Sequence, residues 1–290
     1  MPARLAARAV CAGALLALLS GRVASAALEP ASGALQSASG GLPSASPSAK
    51  GRDPAPPPAG ARPRFLNLVH VRVKPRSSGA YASLEAQIVR AYERAKVKLH
   101  WICLQSPKDS NDILYLNLYD SPEGPDRAED IYRQAIDSHP DLVSLQQRLT
   151  ELTQSSESTL TTRRDDIDRP PASRADFSRM RVLRVTTFQL NPGQEGRFVR
   201  AIRTANRKDG SWLVYEANDS STFLLITLKE TPITRADGPP VPRTLGGFKS
   251  VDVKPDSRVY AVRPSMSHVP QAFVAANPQL WRPTAASTFH

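Results

Sequence analysis

Cysteine is scarce in this chain. Among 290 residues there are two, Cys11 and Cys103. Metal signatures are missing too: there is no C-x-x-C, no H-E-x-x-H and no H-x-H. The five histidines (70, 100, 139, 268 and 290) are far apart in sequence. No G-x-S-x-G elbow, phosphate-binding Gly-Lys loop or G-x-G-x-x-G turn is present, and Gly246-Gly247 reads as an ordinary turn. No metal or cofactor is therefore expected. Runs of five or six like charges are lacking, as is interleaving of aromatic with basic residues. The 38 basic against 27 acidic residues are thus a general bias toward anionic surroundings. They do not form a specific nucleic-acid site.

What the N-terminus does contain is a leader. Arg4 and Arg8 precede an apolar run from Ala9 to Leu19, and Val23-Ala24-Ser25-Ala26 supplies the small residues of an A-x-A cleavage site. Residues 1–26 read as a signal peptide cut before Ala27, which sends the protein to the periplasm or beyond the cell. A retained anchor is the alternative. Against it, the apolar core is about half of the roughly 20 residues that span a bilayer. No later segment reads as a membrane span. Cleavage removes Arg4, Arg8, Arg22 and Cys11 together. The mature chain keeps 35 basic residues against 27 acidic ones and a single thiol, so it has no internal disulfide and depends on core packing. Cys103 lies in an apolar run and reads as a core residue; with one thiol, a disulfide oxidoreductase is excluded.

Residues 27–63 are rich in Ala, Ser, Gly and Pro. Such a segment buries too little to offset the entropy of ordering, and reads as a disordered tether. From residue 64 the pattern changes. Phe65–Val73 reads as a strand closed by Lys74-Pro75. Ser83–Val97 places Leu84, Ile88, Ala91, Tyr92 and Ala95 on one helical face. Leu99–Leu104 and Ile113–Tyr119 read as strands around a polar turn. Asp126–Ile136 and Asp141–Thr153 read as helices, and a fourth strand is expected near Ser158–Thr162. A charged connector occupies 163–179.

The pattern then repeats. Val182–Leu190 is a strand closed by Asn191-Pro192-Gly193, Gly196–Ala205 a helix, and Ser211–Tyr215 and Phe223–Leu228 strands around another polar turn. Trp101 and Trp212 open equivalent strands and read as core anchors. Thr231–Pro242 is proline-rich where the second helix should begin, so that helix is expected to be short or lost. Arg258–Arg263 completes the set. Two strand–helix–strand–strand–helix–strand units, 64–162 and 180–263, are therefore expected. Each has one open apolar sheet face, and two units can cover each other. The segment 264–290 reads as an apolar, proline-punctuated arm packed across them.

This order of elements resembles the dimeric α/β-barrel superfamily, which includes antibiotic-biosynthesis-type monooxygenases and haem-degrading relatives. The resemblance covers about residues 64–265 and is one of pattern, with no family motif. It implies an α+β fold of two tandem ferredoxin-like units packed sheet to sheet as an intramolecular, monomeric pseudo-dimer. It also admits a cofactor-independent oxygenase acting on an aromatic or polycyclic molecule.

Strand alternation supplies the candidate ligand-binding residues. Tyr115, Asn117 and Tyr119 share one face of their strand and Leu114, Leu116 and Leu118 the other. The leucines suit a helix-covered core, which would aim the Tyr/Asn face between the sheets. His70 and Arg72 share a face with Leu66 and Leu68, and Arg184 shares one with Val182 and Phe188. Each also has an ordinary role: tyrosines as half-buried packing, Asn117 bonded to backbone, His70 at a strand edge. Two readings of function remain. One is an exported module that binds a small apolar ligand or an envelope protein. The other is the oxygenase, and an open cavity between the sheets would favour it.

Overall fold

In β1 (Phe65–Val73) one face carries Leu66 and Leu68 and the other Val69, Val71 and Val73, and all five are buried. A strand with two buried faces must be covered on both sides. The elements that follow provide the cover. They are α1 (Ser78–Ala95), β2 (Ile102–Gln105), β3 (Asp112–Tyr119), α2 (Gly124–Ser138), α3 (Pro140–Leu152), β4 (Thr153–Arg163), β5 (Val182–Gln189), α4 (Glu195–Thr204), β6 (Leu213–Ala217), β7 (Thr222–Lys229), β8 (Asp256–Val262), α5 (Gln271–Ala276) and α6 (Pro278–Trp281). This computed structural model describes residues 62–169, 176–204, 211–219, 221–232 and 255–282. The expected leader and tether up to residue 61 and the proline-rich segment 233–254 lie outside the described residues, and with them the expected fate of the second unit's second helix.

The chain is α+β, and its described residues form eight antiparallel strands closed into a barrel in the order β1-β3-β2-β8-β5-β7-β6-β4. Read within each half, the order is the same: β4-β1-β3-β2 and β8-β5-β7-β6. The two groups of four meet at short seams. Leu104 and Gln105 pair with Val262 and Ala261, and Thr161–Arg163 pair with Ala217–Tyr215. Among the described residues, no helix is long and apolar enough to cross a membrane.

Three cores result. Outside the first sheet, α1, α2 and α3 cover Val69, Val71, Ile113 and Tyr115 with Tyr81, Ile88, Tyr132 and Leu149. Outside the second, α4 covers Phe188, Val214 and Phe223 with Phe198 and Ile202. Inside the barrel lie Leu66, Leu68, Leu114, Leu116, Leu183, Val185, Leu224 and Ile226. The close fit of α2 on the first sheet requires Gly124, where a Cβ would come 2.7 Å from the Tyr119 side chain. Gly193, at φ +81°, makes the turn after β5 without strain.

Several boundaries differ from the sequence expectation, two of them for a common reason. β4 starts at Thr153 rather than near Ser158, although Thr153–Ser158 has no apolar alternation; backbone pairing with β1 holds it. The strand expected from Leu99 begins at Ile102, where pairing with β3 starts; Trp101 pairs instead with His268 in an isolated bridge. Backbone partners in both cases come from far along the chain, where local periodicity carries no signal.

One end of the barrel is closed by the chain's own C-terminal arm. Phe273, Val274, Leu280 and Trp281 join the interior core, leaving a cleft of about 20 Å3 beside Ile102, Leu116 and Phe273. Trp281 donates its indole N–H to Ser178 O at 2.7 Å. Truncating a buried Trp removes a large contact area and leaves a cavity. Trp281→Ala should therefore lower the unfolding free energy by about 3 kcal/mol, read from urea denaturation. A loss below about 0.5 kcal/mol, the level of an ordinary surface change, would show that the arm is not part of the core.

Candidate functional site

Strand register fixes what lines the barrel. Directly paired residues share a face, so the interior row of β1 is Leu66, Leu68, His70, Arg72. Alongside it runs Leu118, Leu116, Leu114, Asp112 on β3. On β5 the row is Leu183, Val185, Thr187, Gln189, paired with Leu228, Ile226, Leu224 and Thr222 of β7. β8 contributes Tyr260 and Arg258 opposite Leu183 and Val185. These rows run from aliphatic at the arm-covered end to polar at the other end. The barrel thus has one plugged apolar end and one polar mouth.

At that mouth four side chains converge from three strands. His70 Nε2 lies 2.7 Å from Asp112 Oδ1. Tyr260 donates its hydroxyl to the same oxygen at 3.4 Å. An Arg258 guanidinium nitrogen stands 3.3 Å from His70 Nε2. Arginine can only donate and an ionised carboxylate can only accept. The shorter contact therefore decides the tautomer: Nε2 carries the proton and gives it to Asp112, so in the neutral ring Nδ1 is the free acceptor. Burial raises the Asp112 carboxyl, but the His70 hydrogen bond, the His70 and Arg258 charges and the Tyr260 hydroxyl outweigh it and leave it below its ordinary value. Burial, then the Asp112 charge, push Tyr260 up to about 12. An oriented imidazole beside a cation can accept a proton at Nδ1 or hold a polar group of a ligand. Arg72 joins this end through an ion pair with Asp109 at 2.7 Å.

Of the six candidates, then, His70 and Arg72 come together at the mouth. The other four do not join them. Tyr115 and Tyr119 belong to the helix-covered core, and Asn117 shares their face, which corrects the expected orientation of β3. The leucines, not the Tyr/Asn row, face between the sheets. The cause is register: Val69 pairs with Tyr115, so Tyr115 follows the valine row under the helices. Arg184 lies on the face of β5 that carries Phe188 to α4, again outside the barrel. Sequence reasoning missed Asp112, Arg258 and Tyr260. The alternation Arg258, Tyr260, Val262 was the one local signal available.

The helix side holds a polar group of its own. Tyr81 and Tyr115 hydroxyls are 2.9 Å apart, and Glu85 beside them is fully buried. Neither carboxyl oxygen of Glu85 makes a hydrogen bond of good geometry; the Trp101 N–H is committed to Met266 O at 2.8 Å. Burial pushes Glu85 up to about 8, with Tyr115 and Trp101 offsetting part of the rise. The folded chain therefore keeps a proton that the unfolded chain, near 4.5, gives up. Stability should fall as pH rises from about 4.5 to about 8 and level off above. Glu85→Gln should remove that component, so the wild-type minus variant difference in urea midpoint declines across this window. A difference independent of pH would show that the carboxyl is ionised in the fold.

No protein-family profile matches the chain, and no curated protein matches it. Solved structures with similar folds exist. One is an anthrone oxidase-like protein, 13% identical, covering 73% of this chain and 97% of that one with a TM-score of 0.47. Another is a mutant chlorite dismutase from Candidatus Nitrospira defluvii, 8% identical, covering 74% and 96% with a TM-score of 0.44. An antibiotic biosynthesis monooxygenase matches at 10% identity over 33% of this chain and 94% of that one, TM-score 0.26. The activities in these names belong to those proteins.

Proposed function

We propose that this chain is an exported binding module, made of two tandem ferredoxin-like units, that meets its ligand or envelope partner at the barrel mouth around His70. One observation carries the reading. The interior is filled with apolar side chains and plugged by the arm at one end, while the other end presents His70, Asp112, Arg258 and Tyr260. Identical strand order in the two halves supports the duplication, and the A-x-A leader supports export. A photo-cross-linking residue at position 72 tests the mouth, with one at Arg197 on exposed α4 as control. Cells secreting the full chain should give a discrete adduct from position 72 alone, lost on Arg258→Ala. Equal labelling from both positions would refute the mouth as the contact surface.

A second reading rests on the free Nδ1 of His70, which could take a proton from an acidic aromatic substrate before oxygen reacts. Apolar filling of the interior confines such chemistry to the mouth. Anthrone supplied to the full chain should then drive oxygen uptake, and His70→Ala should reduce it by about 10²–10⁴-fold, the range for a general base. No uptake by the wild-type chain would eliminate this reading.

A further inference from the structure

We infer that a groove between the C-terminal ends of α1 and α2 is a second binding site, suited to a small amphipathic anion. The groove holds about 290 Å3, near the lower end of the range for small-ligand sites. Val97, Ile131 and Ala135 give it an apolar floor, and Lys96, Lys98 and His139 stand around it; no carboxylate lines it. It lies in the helix layer outside the barrel and shares no residue with the mouth.

Lysines near helix ends have an ordinary use, since the last carbonyls carry partial negative charge. Lys96 goes further than that. Its backbone is left-handed, φ 54° and ψ 33°, at the C-cap of α1, a position that suits glycine or asparagine because a Cβ is strained there. Glycine would relax this backbone, so helix termination does not itself require a lysine there. That lysine stands at the lip of a cationic, apolar-floored groove, where its ammonium can meet an anionic head. Lys96 is exposed and lines the groove, which makes it the principal contact for an anionic head. An apolar body would cover Val97 and Ile131.

Strain also separates a fold role from a binding role. In calorimetric titration, naphthalenesulfonate should bind the full chain with one-to-one stoichiometry, and neutral naphthol and inorganic sulfate should each bind at least about tenfold more weakly, one charge-assisted contact being worth about that factor. Amide shifts should map to residues 95–98 and 131–139. Lys96→Gly should weaken the sulfonate about tenfold while leaving the melting temperature unchanged or higher. His139→Gln gives an independent weakening. Absence of saturable sulfonate binding would overturn the inference. So would naphthol binding as tightly, shifts mapping elsewhere, or a folded Lys96→Gly variant that binds as the wild type does.

Discussion

Closure at two narrow seams is the constraint on which the rest of the molecule depends. Two paired residues join β2 to β8 and three join β4 to β6, against eight that join β1 to β3. Backbone hydrogen bonds at the seams are too few to hold two sheets together alone. What holds them is the apolar surface on both inner faces, which has no other cover. Burying a Leu or Ile fully is worth about 1.5–3 kcal/mol, and the interior core has many such residues. The seams then set the register in which this surface meets. A slip of one residue at β2/β8 would turn Tyr260 and Val262 out of the barrel and break the cluster at the mouth.

The same closure explains the arm. A barrel with tilted strands has two open ends, and apolar residues near an end remain wet unless something covers them. Here the row Leu66, Leu118, Leu183, Leu228 lies at one end; Phe273, Leu280 and Trp281 belong to the same core, and Phe273 stands beside Leu116 and Leu118. At the other end the rows are already polar, so no plug is needed. The asymmetry of the site follows from the asymmetry of the strand sequences. β1 runs from Leu to Arg on its inner face, and β3, running the other way, runs from Asp to Leu.

Much of the layering was legible in the sequence, because β1, β3, β5 and β7 are apolar runs bounded by polar turns and the helical faces of α1 and α3 are regular. Which face of β3 turned inward was not legible from β3 alone. Both of its faces are apolar enough to be buried: three leucines on one, two tyrosines and an asparagine on the other. The deciding information sits on β1, whose Val69, Val71 and Val73 row is unbroken by charge while its Leu66 and Leu68 row ends in His70 and Arg72. A row that ends in charge must reach solvent, so it belongs to an open-ended barrel and not under helices. Pairing Val69 with Tyr115 then carries the tyrosines to the helix side. The mouth was only half visible for a different reason. Arg258 is 188 residues from His70, and no local pattern links positions that far apart.

The tyrosine side also bears on the one thiol of the described chain. Cys103 is fully buried and pairs with Tyr115 across the strands. Burial and then the neighbouring Glu85 push its thiol well up from the ordinary value. Thiolate, not thiol, is the nucleophile that reacts with oxidants and disulfides. Cys103 is therefore protected by the same helix-sheet packing that keeps Glu85 protonated. Opening that core would expose a reactive thiol and an ionisable carboxyl together, and both would then favour the open state. Packing of α1 on β2 and β3 thus protects the chain chemically as well as holding it folded.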